Sequence, residues 1–150
     1  MSFDLRDLYQ EIILDHNKHP RNRKRLEGAT SQANGHNPLC GDQVTVYLRA
    51  EHGLVSEVSF EGSGCAISTA SASLMTEAVK GKPIAEAERL FKEFQQMVTE
   101  TETPLDHTEL GELQVLAGVR EHPVRIKCAT LPWHTLKAAL EGGKAKVSTE

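Results

Sequence analysis

No apolar run in this 150-residue chain approaches the roughly 20 residues that a membrane-spanning helix needs, so no helical span is expected. An excess of positive charge is missing too. The net charge is -4, and overall electrostatics give no reason to expect a nucleic acid partner. The first residues, Met1 to Asp7, lack the apolar stretch of a signal peptide, and a cytoplasmic protein is expected. Cysteine is scarce: Cys40, Cys65 and Cys128 are the only three. An odd number spread along the chain argues against a disulfide framework and for thiolate chemistry in a reducing compartment. No two of them form a C-x-x-C pair, which excludes zinc-finger spacing. Internal repeats and composition breaks are also absent. One domain over residues 1–150 is expected, long enough for a hydrophobic core, with residues 141–150 as a frayed tail.

What is present reads as an α+β fold, a small antiparallel sheet of about three strands against several helices. Leu5, Leu8, Ile12 and Ile13 recur at helical spacing over residues 4 to 16, with Asp4 as cap and Pro20 as stop. The basic stretch Lys18 to Arg25 is either a solvated loop or a docking surface for an acidic partner. Residues 26 to 36 suggest a short edge strand ending near His36. Residues 43 to 50 alternate, with Val44, Val46, Leu48 and Ala50 on one face. Glu51-His52-Gly53 then turns the chain into a second strand lined by Leu54, Val58 and Phe60, giving a β-hairpin. Ile67, Ala70, Leu74 and Ala78 mark a small-residue helix ending at Gly81. After Pro83, the stripe Ile84, Ala87, Leu90, Phe91, Phe94 and Val98 predicts another. Asp106 and Glu109 fit a capping box for a short helix carrying Leu110, Leu113, Leu116 and Ala117. Val124 to Lys127 reads as a brief extended entry to Cys128 and a last helix through Trp133, Leu136, Ala139 and Leu140.

The chemistry concentrates at the cysteines. Each sits at a junction beside Gly or Lys, not inside an apolar stripe. Zinc and iron both take thiolates, and zinc prefers four ligands in a tetrahedron. Three cysteines leave one position, and Asp42 is the candidate for it. In Cys40-Gly41-Asp42 the glycine permits a tight turn, so both side chains can face one site. Gly62 and Gly64 give similar freedom before Cys65. Cys65 and Cys128 are each expected at or near a helix N-terminus, where the dipole favours a thiolate. His36 is a further candidate ligand, whereas His16, His19, His52, His107, His122 and His134 read as surface or capping residues. Three ordinary buried thiols, or a structural zinc module without sulfur chemistry, also fit these residues. A cysteine hydrolase fits least, since no nucleophile turn with His and Asn partners is visible.

Three motifs taken together are more specific. Asn37-Pro38-Leu39-Cys40-Gly41-Asp42, Gly62-Ser63-Gly64-Cys65-Ala66-Ile67-Ser68 and Arg125-Ile126-Lys127-Cys128-Ala129-Thr130-Leu131-Pro132-Trp133 occur in order. With Leu8-Tyr9, Asp15-His16 and Pro20-Arg21-Asn22, they make the chain resemble the U-type iron-sulfur cluster assembly proteins (IscU and NifU N-terminal type) over roughly residues 5 to 141. Scaffold members of that family carry a His before the last cysteine. This chain has Lys127 there, and an insertion within roughly residues 92 to 112. Both features resemble the SufU-like branch.

That resemblance implies a zinc ion held by Cys40, Asp42, Cys65 and Cys128. It implies a partner, a PLP-dependent cysteine desulfurase of the SufS type, along with other iron-sulfur assembly components. Cys40 would be displaced from the zinc by a competing ligand, a His of the desulfurase, and would then take the persulfide sulfur. The chain would act as a sulfur acceptor without independent multi-turnover activity. The alternative is a scaffold that binds iron or a transient [2Fe-2S] cluster and hands it on. Asp42, the weakest ligand for a thiophilic metal, could leave in place of Cys40. Gly41 and Gly64 would shape the site. Lys127 would offset its negative charge, or else be a solvated lysine. Arg125 would pair with Asp42 or guide ligand exchange, or else be a surface residue.

Overall fold

The computed structural model describes residues 5–99, 108–142 and 147–148. A helix α1 (Leu5–Lys18) leads into strand β1 (Ser31–Asn37), strand β2 (Asp42–Glu51) and strand β3 (Leu54–Ser63). Helices α2 (Ala66–Val79) and α3 (Ile84–Thr99) follow, then a 3-10 segment (Thr108–Glu121), helix α4 (Pro123–Leu140) and a two-residue strand β4 (Val147–Ser148). The strands lie in the order β3-β2-β1-β4. The first three are antiparallel neighbours, as the alternating pattern predicts, and helices cover one face. The α+β expectation is met. The caps expected at Asp4 and at Asp106 with Glu109 lie outside the described residues and side chains. Among the described residues no helix is long and apolar enough to cross a membrane.

The core forms where α4 lies across β1 and β2 while α2 packs on α4. Val46, Leu48, Val58 and Phe60 share one hydrophobic core with Leu131, Trp133 and Leu136, all at most 3% exposed. Helix α3 closes one side. Its buried stripe Ala87, Leu90, Phe91, Phe94 and Val98, with Met97, follows helical spacing. Phe94 stacks on Trp133 at 5.0 Å between ring centroids. In the 3-10 segment, Leu110, Leu113 and Leu116 are buried despite a kink at Gly111.

Four details depart from the sequence reading. Leu54 is exposed and Val55 is fully buried. The β2–β3 register pairs Arg49 with Glu57 but Ala50 with Val55, so Ser56 is an extra residue that reverses the alternation. Val124 to Lys127 is helical, because α4 starts at Pro123, a residue suited to a first helical turn. Cys128 therefore lies in the second turn of α4 and not at its N-terminus. Val147 and Ser148, expected to fray, pair in parallel with Gly35 and His36. Finally, the basic stretch is only partly a solvated loop. Arg21 N–H donates to Ser73 Oγ at 2.8 Å, Asn22 Nδ2 donates to Thr76 Oγ1 at 3.1 Å, and Arg23 Nη2 donates to the Gly62 carbonyl at 2.8 Å. These bonds tie the turn after α1 to α2 and the end of β3.

Candidate metal centre

The site begins in the turn of the β1–β2 hairpin. Asn37 pairs with Asp42 across the two strands, leaving Pro38-Leu39-Cys40-Gly41 as a four-residue loop. Gly41 adopts φ +72°, a left-handed conformation that glycine takes without a Cβ penalty. Its N–H donates to the Asn37 carbonyl at 2.9 Å and closes the loop. Cys40 sits on this turn, part-exposed. Two residues on, Asp42 points inward and is fully buried.

The pairing of β2 with β3 brings in the next ligand candidate. Gln43 pairs with Ser63, so the chain leaving β3 passes directly beside Asp42. A Cβ on Gly64 would lie 2.6 Å from Asp42 Oδ1, so only a glycine lets the carboxylate come this close. The Cys65 N–H donates to that oxygen at 2.8 Å, and Cys65 Sγ stands 3.8 Å from Asp42 Oδ2. Cys65 is also the N-cap of α2, its sulfur accepting from the Ser68 N–H at 3.4 Å. A thiolate is favoured at that position by the unpaired N–H groups and the helix dipole.

The third sulfur arrives from the core. Cys128 is fully buried on α4, and its Sγ is 3.3 Å from Cys40 Sγ. Cys40, Asp42 and Cys128 offer ligand atoms that all lie within 4.8 Å of one another, and Cys65 adjoins them through Asp42. The fold thus brings Cys40, Asp42 and Cys128 together and sets Cys65 beside Asp42. Burial pushes the Cys128 thiol pKa far up, helped by hydrogen bonds with Cys40 and Asp42 and by the charge of Cys65. These sulfurs can all be thiolates in a partly buried site only with a counter-charge, which a divalent ion supplies. The donor set is thiolate-rich, which suits zinc or iron. Two zinc-bound sulfurs in a tetrahedron stand about 3.8 Å apart, so Cys40 and Cys128 need only a small opening to share an ion.

Other expected residues are placed less centrally. Arg125 is exposed and shares a cavity of about 690 Å³ with Cys40 and His122. Among the described residues no ion pair or hydrogen bond joins Arg125 to Asp42, whose Oδ1 is taken by the Cys65 N–H. Lys127 is half-buried one residue before Cys128, with no ion pair among the described residues. His36 is excluded as a ligand. Strand alternation turns it away from Asn37, toward a polar cavity with Asn34, Gln43 and Glu61. Asn37 was not singled out from sequence, although its motif was. It is fully buried, its Nδ2 lies 3.9 Å from Cys128 Sγ, and its Oδ1 accepts from the Leu39 N–H at 3.1 Å. Its position three residues before Cys40 was the available signal. His16, read as a surface or capping residue, is buried at 2% exposure on α1.

The NifU-like N-terminal domain family matches residues 8–146. The chain is 43% identical over 148 residues to the zinc-dependent sulfurtransferase SufU of Bacillus subtilis, covering 97% of each chain. It is also 43% identical to the iron-sulfur cluster assembly scaffold protein IscU of Streptococcus pyogenes, covering 91% of this chain and 85% of that protein. Among solved structures, an iron-sulfur cluster assembly scaffold protein for the SUF system from Fervidobacterium islandicum superposes with a TM-score of 0.82. It is 36% identical, and the match covers 91% of this chain and 99% of that one.

Proposed function

The chain belongs to the NifU-like N-terminal domain family, and on that premise we propose that it is a single-domain, zinc-binding sulfur acceptor of iron-sulfur cluster assembly, working with a cysteine desulfurase in the cytoplasm. Zinc, when bound by Cys40, Asp42, Cys65 and Cys128, supplies the positive charge that keeps three sulfurs deprotonated in one place. One observation carries the reading beyond metal binding. Cys40 is the ligand candidate on a turn, part-exposed at the mouth of a cavity, while Cys128 is fully buried in a helix. Exposed Val124 lines that cavity and exposed Leu39 precedes Cys40 in the chain, and both offer apolar surface to a partner. The sequence adds Lys127 immediately before Cys128, a feature of its resemblance to the SufU-like branch.

The transfer step needs little from the protein beyond a reachable thiolate. Cys40 attacks the terminal sulfur of a cysteine persulfide on the desulfurase. A new S–S bond forms on Cys40 as the donor's S–S bond breaks, and the electron pair leaves with the donor thiolate. No oxidant or reductant is consumed. Arg125 lines the same cavity and places positive charge near the incoming anion.

The test mixes the protein with a cysteine desulfurase and L-cysteine, then follows intact mass. Addition of one sulfur in the parent and its loss in Cys40→Ser, with zinc-free folding unchanged, is the expected result. Sulfur retained in Cys40→Ser, or carried on Cys65, sinks the assignment of Cys40. The same 43% identity to a scaffold supports a second reading. Anaerobic purification separates the two: iron-sulfur absorption in the visible range marks a scaffold, and colourless protein with one zinc marks the acceptor.

A further inference from the structure

His16 sits near the end of α1, yet its imidazole is only 2% exposed. Its Nδ1 lies 2.7 Å from Ser73 Oγ on α2, and that oxygen also accepts the Arg21 N–H at 2.8 Å. The ring is therefore fixed in orientation. Among the described residues its other nitrogen, Nε2, makes no hydrogen bond. It faces two carboxylates, Glu77 from α2 and Glu112 from the 3-10 segment. All three ligand atoms lie within 4.8 Å of one another.

The spacing is what an ion between them would produce. Nε2 is 3.5 Å from Glu112 Oε2 and 3.8 Å from Glu77 Oε1. A charge-assisted hydrogen bond from nitrogen to a carboxylate closes to about 2.7–2.9 Å. Ligands bonded to a common ion at about 2.1 Å in tetrahedral array stand about 3.4 Å apart. A buried imidazole oriented through its second nitrogen is the usual arrangement of a metal-bound histidine. Arg21 is held mainly by Asp15 at 2.6 Å and reaches the cluster only at its edge, its Nε pairing with Glu77 Oε1 at 3.9 Å. A neutral imidazole and two carboxylates carry a charge of -2, matching a divalent ion. Glu77 and Glu112 also line a cavity of about 380 Å³, leaving a path for the ion and for water as a fourth ligand.

We propose that His16, Glu77 and Glu112 form a second cation site, separate from the cysteines, for a first-row divalent ion that accepts mixed nitrogen and oxygen donors, such as Mn²⁺, Fe²⁺ or Zn²⁺. A bound ion would join α1, α2 and the 3-10 segment at one point. The probe is Mn²⁺, which competes poorly for thiolates, added to full-length protein already carrying one equivalent of zinc. Free Mn²⁺ is followed by electron paramagnetic resonance, and pulsed measurements seek coupling to a directly bonded nitrogen. One Mn²⁺ bound with one such nitrogen is expected. Glu112→Gln and Glu77→Gln, both at well-exposed positions, should each weaken binding at least tenfold, while Glu88→Gln, an exposed carboxylate of α3 outside the group, leaves it unchanged. No bound Mn²⁺ at millimolar concentration, no nitrogen coupling, or binding indifferent to both glutamine variants overturns the proposal.

Discussion

Gly64→Ala tests how the cysteine site is held together. The backbone at this residue lies outside the left-handed region, so an alanine can adopt it without strain. What it cannot do is avoid Asp42. The new Cβ would stand 2.6 Å from Oδ1, 3.1 Å from Cγ and 3.2 Å from Cβ of that residue. Asp42 is anchored by strand pairing to Asn37, so its backbone has little room to retreat. The carboxylate must rotate away, which breaks the 2.8 Å bond from the Cys65 N–H. Overpacking of this kind costs about 1–3 kcal/mol, and loss of a hydrogen bond to a buried charge costs a similar amount. Because relief of the clash and loss of the bond are one movement, we expect a combined loss of about 2–3 kcal/mol in the zinc-free protein. Displacing the support of a ligand should also lower zinc affinity about 10–100-fold. Denaturant unfolding reads the first quantity, and zinc competition against a chromogenic chelator reads the second. Gly118→Ala is the control, since nothing lies within 4 Å of its Cβ and its φ is ordinary. If Gly64→Ala unfolds and binds zinc like that control, the close approach of Asp42 to residue 64 is not what shapes the site.

Two further outcomes follow from the same geometry. Asn37→Ala removes the amide beside Cys128 Sγ and the acceptor for the Leu39 N–H. It should lower zinc affinity about tenfold while the far-ultraviolet spectrum is unchanged; unchanged affinity would mean the amide only fills space. Tyr47 donates to Glu61, and this bond, then burial and the carboxylate charge, raise the phenol pKa above its ordinary value of 10.0. A raised folded-state pKa gives a contribution that is complete below pH 10 and is lost as pH climbs through the folded value. Stability of the parent should therefore fall more steeply above pH 10 than that of Tyr47→Phe, and parallel curves would refute the coupling.

Part of this fold could be read because β2 and α3 carry clear local periods. The β2 alternation and the α3 stripe each depend on one local pattern, and each forms as its pattern dictates. The four residues of the cysteine site were visible as types and as motifs. Their convergence was not derivable from spacing, since it depends on the Gln43–Ser63 pairing and on α4 reaching the hairpin turn. Where tertiary forces overrode local signals, the reading failed. The β-branched Val124 and Ile126 suggested extended chain, but Pro123 starts a helix whose next turns bury Cys128, Leu131 and Trp133 against the sheet. His16 looked like a polar residue at a helix end. Its burial depends on Ser73, 57 residues away, and on Glu112 in the 3-10 segment. No local pattern reports such partners.

The unequal anchoring of the four donors bears on which one can leave a shared ion. Asp42 would be the chemical choice, because a carboxylate is the hardest donor in a thiolate-rich set. Structure argues the other way. Asp42 is fully buried, strand-paired and bonded to the Cys65 N–H, so removing it from the site would strand a charged carboxylate in the interior. Cys65 is committed to capping α2, and Cys128 is built into the core of α4. Cys40 hangs from a four-residue turn closed by the single Gly41–Asn37 backbone bond, and it is already part-exposed. Its departure breaks no strand pair, no helix cap and no core contact. On the proposed acceptor role, the donor that costs the fold least to release, Cys40, is also the part-exposed one.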